Sequence, residues 1–147
     1  MIYTEEHMSV FDVGKGYSLA QCISADFGMG KGIAVEFNKY FDMKNKMLDD
    51  HPDFLKEWKR LGKTHACLYK DGVFNLVTKE RYWQKPTYDS IEGALEDMKV
   101  ECLLRGIDKV AMPKIGCGLD KLEWRIVKGI IHRVFKDTSI EIKVCFY

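Results

Sequence analysis

The sequence predicts a three-layer α/β/α domain with a mixed, mostly parallel central sheet. Three observations predict it. Short apolar runs alternate with longer stretches whose apolar residues recur at helical spacing, the βαβ order of such folds. Two of the runs end in Gly-rich turns that open onto helices, Phe27 to Ala34 and Met112 to Asp120. Near the middle, Asp71-Gly72 separates two strand-like runs and signals a hairpin, which adds an antiparallel pair.

The elements follow in order. An edge strand is expected around Met8 to Val13, ended by Asp12. Asp12 reads as a turn or cap residue, or as an acceptor for an exocyclic amine such as that of adenine. Ser18 to Ser24 is a buried strand, and Ser24 falls at the end where α/β folds place ligands. A helix begins near Gly32, with Ile33, Ala34, Phe37 and Phe41 on one face. Lys31 before it is expected in solvent. A short helix starts near Pro52 and stops at Gly62, with Phe54, Leu55, Trp58 and Leu61 inward. His51 is a helix-start residue, and the isolated His65 receives no catalytic role.

Thr64 to Tyr69 and Val73 to Thr78 form the hairpin, and Lys79 follows its second strand. The loop Glu80 to Pro86 is polar and aromatic; Tyr82 and Trp83 in it either cover a ligand or pack on the surface. Thr87 caps a long helix that buries Ile91, Ala94, Leu95, Met98 and Cys102 and ends at Gly106. Gly93 inside that helix costs about 1 kcal/mol against Ala, and nothing in the sequence explains it. A strand covers Ile107 to Met112. The last helix places Leu122, Ile126, Ile130 and Val134 on one side, with Asp120 and Glu123 at its start. A final strand points Ile140, Ile142, Val144 and Phe146 inward.

The 147 residues make one domain, 1–147, with room for a core. A hydrophobic content of 46% with 31% charged residues excludes a disordered chain. A net charge of +1 gives no broad nucleic-acid footprint. The five cysteines contain no CxxC pair, so zinc and a disulfide framework are not expected. With no leader pattern and no apolar run long enough for a membrane, a cytoplasmic protein is expected.

The two Gly-rich junctions carry the chemistry. A strand, a glycine turn and a helix start together aim backbone N–H groups and partial positive charge at one point. Two such loops can grip a diphosphate from both sides.

Gly28 to Ala34 together with Pro113 to Asp120 resembles the macrodomain family. The likeness is to its branch of terminal ADP-ribose protein glycohydrolases, which also holds antitoxins that strip ADP-ribose from DNA. It runs from about Asp12 to Tyr147 and includes Ser18 to Ser24, Thr78-Lys79, Lys85 to Tyr88 and Trp124. The resemblance implies an ADP-ribose pocket. In it, Asp12 would hold the adenine amine beside the Val13 backbone, Ser24 would line the wall, and Tyr147 would lie against the base. Gly28, Met29, Gly30, Gly32, Ile33 and Ala34 would cradle the diphosphate and distal ribose. So would Lys114, Ile115, Gly116, Cys117, Gly118 and Leu119. Lys79 and Asp120 match the catalytic pair of the branch. The chain lacks the Asn-rich strand end of common macrodomains; Ser24 stands nearby instead.

The implied activity is a metal-independent, cofactor-free ADP-ribosyl hydrolase acting as a monomer on mono-ADP-ribosylated protein or DNA. A neutral lysine amine attacks the anomeric carbon of the distal ribose, expels the acceptor and leaves a Schiff base. A carboxylate across the sugar shuttles the proton and activates water. The same pocket suits O-acetyl-ADP-ribose deacetylation, more weakly an ADP-ribose 1''-phosphatase, or a non-catalytic reader. In a reader, Lys79 would be a solvated lysine and Asp120 a helix cap.

Overall fold

The computed structural model describes residues 1–147. Six strands form one sheet in the order β1-β6-β5-β2-β4-β3. They are β1 (Ile2–His7), β2 (Ser18–Ser24), β3 (Ala66–Lys70), β4 (Val73–Lys79), β5 (Lys109–Met112) and β6 (Glu141–Phe146). Every pairing is parallel except β3 with β4, the hairpin turned by Asp71-Gly72. The expected mixed, mostly parallel sheet is therefore observed.

Helices cover both faces. On one side lie α1 (Ile33–Phe41), α2 (Met43–Asp50) and α3 (Phe54–Leu61), with Phe37, Met43, Met47 and Trp58 packed on Leu19, Ile23, Val73 and Val77. On the other lie α4 (Tyr88–Arg105) and α5 (Trp124–Phe135), whose Leu95, Met98, Ile131 and Phe135 meet Ala20, Phe74, Leu76 and Val144. Alternation along each strand sends neighbours to opposite layers. Gln21, Ser24, Asn75 and Thr78 are the buried polar residues of the strands. The Gln21 amide donates to Asn75 Oδ1 at 2.9 Å, and Asn75 donates to the Leu68 carbonyl at 3.1 Å.

Three boundaries differ from expectation. The edge strand is Ile2–His7, not 8–13; its side chains are mostly exposed, so no apolar pattern marked it. Residues 10–12 instead form a 3-10 turn, with Ser9 Oγ accepting from the Phe11 N–H, so Asp12 ends no strand. Helix α2 was not anticipated, because it buries only Met43 and Met47 among charged residues. His51 accordingly closes α2 rather than starting the next helix, and Leu61 is exposed.

The long helix behaves as its sequence predicts. Thr87 and Ser90 form a reciprocal capping box, and Gly106 ends the helix in the left-handed conformation. Gly93 has a physical reason: a Cβ there would lie 2.3 Å from the His65 ring. His65 Nδ1 in turn sits 2.8 Å from Asp97 Oδ2, so the ring is tied in that notch. Gly93→Ala is expected to destabilise the fold by about 1–3 kcal/mol through overpacking, despite better helix propensity. In a His65→Ala background the same change should stabilise by about 1 kcal/mol. Urea titration of the four proteins decides it; an unchanged sign across backgrounds refutes the steric account.

Candidate active site

The parallel strands open at their C-terminal ends onto a cavity of about 610 Å³. Strand order reverses between β5 and β2, since the chain leaves β2 toward β4 and later returns on the opposite side. Such a switch point leaves a crevice between diverging loops, where α/β folds bind ligands.

Lys79 is the last residue of β4. The β2–β4 register shifts there, from Ile23 opposite Val77 to Ser24 opposite Lys79, so a bulge re-aims the strand end at the crevice. Asp120 comes from the loop after β5. Lys79 Nζ donates to Asp120 Oδ1 at 2.7 Å, and the two side chains are only 14% and 20% exposed. Asp120 is not a helix cap. Helix α5 begins later, at Trp124, and its capping position is Glu123. Lys79 is not a solvated surface lysine either.

Around this pair stand the two Gly-rich loops. Ser24, Gly28, Met29, Gly32, Ile33 and Ala34 line one wall. Lys114, Ile115, Gly116, Gly118 and Leu119 line the other. Backbone N–H groups at Met29 to Ala34, and at Gly116, Gly118, Leu119 and Asp120, find no backbone acceptor in the chain. Those at Met29 to Ala34 lie at the start of α1, and clustered unpaired N–H groups of this kind form an anion cradle. Gly116 has φ +73°, and a Cβ there would press Leu122 at 3.0 Å, so the turn requires glycine. Gly30 and Cys117 belong to the loops but not to the wall. The Cys117 thiol turns back to the Ile115 carbonyl at 3.3 Å.

A second cavity, also about 610 Å³, adjoins the first and shares Gly32, Ile33, Pro113 and Lys114 with it. Tyr147 lines it, as do Met8, Ser9 and Val10. Asp12 and Val13 do not. The 3-10 turn leaves Ser9 and Val10 facing the cavity and carries Asp12 into solvent. Asp12 and Val13 are therefore expected site residues that border neither cavity. No apolar pattern distinguishes Ser9 from Asp12 in the sequence; only the turn does.

Sequence reasoning also passed over Asp26. Its Oδ1 accepts from the Ser24 hydroxyl and from the Gly28 N–H at 3.1 Å. Its Oδ2 accepts from the Tyr82 N–H at 3.1 Å. One carboxylate thus ties the first Gly-rich loop to the loop after Lys79. Phe27 between them holds φ 56°, a strained value for a bulky residue, and Lys121 beside Asp120 holds φ 57°. Tyr82 and Trp83 line the cavity mouth and stay 53% and 69% exposed.

Cys22 is the other nucleophile type on the wall. Burial pushes its thiol up to about 12, and the Asp120 carboxylate acts in the same direction. It is a neutral thiol at neutral pH and a poor nucleophile. Ser24 is buried, with its proton committed to Asp26. Ser24 and Lys79 thus each face a carboxylate, but Asp26 also accepts from the Gly28 and Tyr82 N–H groups, whereas Asp120 has Lys79 as its side-chain partner. No group of metal-ligating side chains converges anywhere in the chain.

No protein-family profile matches the chain. Among individual proteins, the human ADP-ribose glycohydrolase OARD1 is 42% identical over 137 residues, covering 92% of this chain and 85% of that protein. A DNA ADP-ribosyl transferase-DNA ADP-ribosyl glycohydrolase fusion protein of Thermosipho africanus is 30% identical over 139 residues, which is 81% of this chain and 35% of the fusion. The macrodomain of Mycobacterium tuberculosis DarG superposes with a TM-score of 0.78 at 20% identity, over 99% of this chain and 98% of that one. The chain has the macrodomain fold and belongs to the family of the ADP-ribose glycohydrolase OARD1.

Proposed function

We propose that this protein hydrolyses mono-ADP-ribose from an acceptor carboxylate or nucleobase, with Lys79 as nucleophile and Asp120 as the proton carrier. The observation that carries the reading is the Lys79–Asp120 contact of 2.7 Å, placed between two loops of unpaired N–H groups. The names of the human and Thermosipho relatives support the reaction class, and that of the Thermosipho fusion supports DNA as an acceptor.

The diphosphate lies along the cradle of residues 28–34 and 114–119, which fixes the distal ribose over Lys79. Lys79 hands its proton to Asp120 and attacks the anomeric carbon as the ring opens. The bond to the acceptor breaks, and the acceptor leaves with the electron pair and the proton that Asp120 took from Lys79, so that Asp120 is ionised again. The adduct nitrogen passes one proton to the ring oxygen as the ring opens. The nitrogen and the former anomeric carbon form a Schiff base. Asp120 then takes a proton from water, whose oxygen adds to that carbon. Collapse releases ADP-ribose and restores Lys79. Deacetylation of O-acetyl-ADP-ribose uses the same pocket and is the runner-up activity.

The ligand test is calorimetric. ADP-ribose should bind at least about tenfold more tightly than AMP, the worth of one or more charge-assisted bonds to the second phosphate. Equal affinities would remove the pocket assignment.

The catalytic test is turnover of ADP-ribosylated protein and ADP-ribosylated DNA with a chelator present throughout. Lys79→Ala is expected to lose more than about a thousandfold in rate while binding ADP-ribose nearly normally. Asp120→Ala should also be inactive, and mass spectrometry should find ADP-ribose attached at Lys79. A folded Lys79→Ala protein with normal turnover would refute the nucleophile role of Lys79.

Asp26→Asn keeps a single acceptor oxygen where the carboxylate offers two. The Tyr82 N–H then faces an amide NH₂, and the loop 80–85 is released. Amide exchange at Tyr82 should quicken by about tenfold, and ADP-ribose should bind several-fold more weakly, matching about 1–2 kcal/mol for a lost charged acceptor. Unchanged exchange would show that Asp26 does not hold that loop.

A further inference from the structure

The chain has three tryptophans, and the fold accounts for two of them. Trp58 is buried in the core, and the Trp124 indole donates to Glu5 Oε1 at 3.4 Å. The Trp83 ring enters none of the aromatic pairs or cation contacts of the molecule. It is exposed, yet it lines the first cavity. One exposed ring alone needs no explanation. This one, however, is presented by a braced loop. The Tyr82 N–H is held by Asp26 Oδ2, and a Cβ at Gly28 would meet the Tyr82 Cβ at 3.0 Å, so that side chain is packed on the first Gly-rich loop. Gln84 Oε1 accepts from the Arg81 N–H at 2.8 Å, and the Gln84 N–H donates back to the Arg81 carbonyl at 3.1 Å. Trp83 is thus set in place between two anchored neighbours.

The order of the sheet says what passes over it. The second cavity lies at the end of β6, beside Pro113 after β5. Lys79 ends β4, two strands beyond β5. With adenosine in the second cavity and the distal ribose at Lys79, the acceptor extends past β4. There the wall is Tyr82, Trp83, Gln84 and Lys85, and none of them lines the second cavity. Lys31, Lys85 and Lys121 are exposed on the same wall, and none forms an ion pair. Its one carboxylate, Asp120, is already paired with Lys79.

We propose that Trp83 selects the acceptor, and that the acceptor it selects is a base of a single-stranded polynucleotide, which stacks on the indole while Lys85 meets the phosphates. This rests on the ADP-ribosyl hydrolase reading above. Every base has a flat π-face, and an aromatic ring inside a cationic rim is the usual platform for an unpaired strand. A base inside a duplex is already stacked and cannot reach such a ring. A glutamate on a protein has no flat face, so the indole contributes nothing to it. The net charge of +1 fits a footprint of a few nucleotides rather than a long groove.

The experiment measures kcat/KM of the full chain on an ADP-ribosylated single-stranded oligonucleotide and on a protein ADP-ribosylated at glutamate. Calorimetry with free ADP-ribose is the control that involves no acceptor. The proteins are wild type, Trp83→Ala, Trp83→Phe, Trp83→Leu and Lys85→Ala, each checked by thermal melting. Trp83→Ala should lose about tenfold or more on the oligonucleotide, mainly through KM, the worth of one stacked base. Its rate on the protein and its affinity for ADP-ribose should stay within about twofold of wild type. Trp83→Phe, which keeps a flat ring, should recover most of the loss. Trp83→Leu, apolar but not flat, should not, and it serves if the alanine variant does not fold. Lys85→Ala should slow the oligonucleotide reaction and flatten its log–log salt dependence by about 0.7, the share of one phosphate contact.

A folded Trp83→Ala protein with an unchanged rate on the oligonucleotide overturns the proposal. So does an equal loss on both substrates, or a matching loss of ADP-ribose affinity, because the ring would then serve the ribose and not the acceptor. A wild-type chain that turns over the protein and not the oligonucleotide also overturns it, while leaving the hydrolase reading intact. A wild-type chain that turns over neither substrate overturns that reading, and this proposal with it.

Discussion

The site depends on the parallel pairing of β2 with β4 on one side and β5 on the other. That ladder brings Ser24, Lys79 and Met112 to one edge of the sheet, although 55 residues of chain separate the first two. The strands are buried on both faces, so neither can slip by one residue without turning Phe74 and Leu76 out of their layer. The register that packs the core therefore also sets where Lys79 emerges. The bulge at Ser24 and Lys79 is a local departure from that register, located where the chemistry is.

Stability does not explain the Lys79–Asp120 pair. Two charges that are mostly withdrawn from water cost several kcal/mol each in desolvation, roughly cancelling their attraction. An apolar pair would pack there at no greater cost. Under the proposed reaction, the pair would provide a nucleophile with its proton acceptor already aligned. The strained backbone at Phe27 and Lys121 has the same character, because both lie in loops flanking the cavity and neither improves the core. Asp26 shows how such strain is tolerated. Its carboxylate satisfies Ser24, Gly28 and Tyr82 together, which leaves Phe27 little freedom to relax.

What was legible in the sequence follows from what has a local pattern. The buried strand at Ser18 to Ser24, the Asp71-Gly72 hairpin and the Thr87-to-Gly106 helix each carry a cap, turn or alternation signal, and each is found there. The Ile2–His7 strand was misplaced because an exposed edge has no buried face to alternate. Gly93 was unreadable because its reason, the His65 ring, lies across the fold. Asp120 had two local readings, cap and site residue, and only the start of α5 at Trp124 removes the first. Asp12 was misread as a strand end for a related reason: it closes a 3-10 turn, and nothing in the composition announces that turn.

Net charge was the least informative of the sequence measures. At +1 it suggests an electrically neutral surface. Yet the first cavity is lined by Lys31, Lys79, Lys85, Lys114 and Lys121 against the single carboxylate of Asp120. A cavity with low-dielectric walls concentrates such a field and draws anions toward it. Lys114 is held in place by its approach to the Phe146 ring, 4.3 Å from the centroid, so its charge stays near the junction of the two cavities. Because backbone N–H groups supply the fixed contacts, these lysines need not be oriented individually. They raise the local potential, and in the proposed reaction the loops would fix the anion while Asp120, paired with Lys79, would carry the proton. The acidic residues that balance the lysines lie elsewhere, which is why the sum over the chain conceals a strongly cationic pocket.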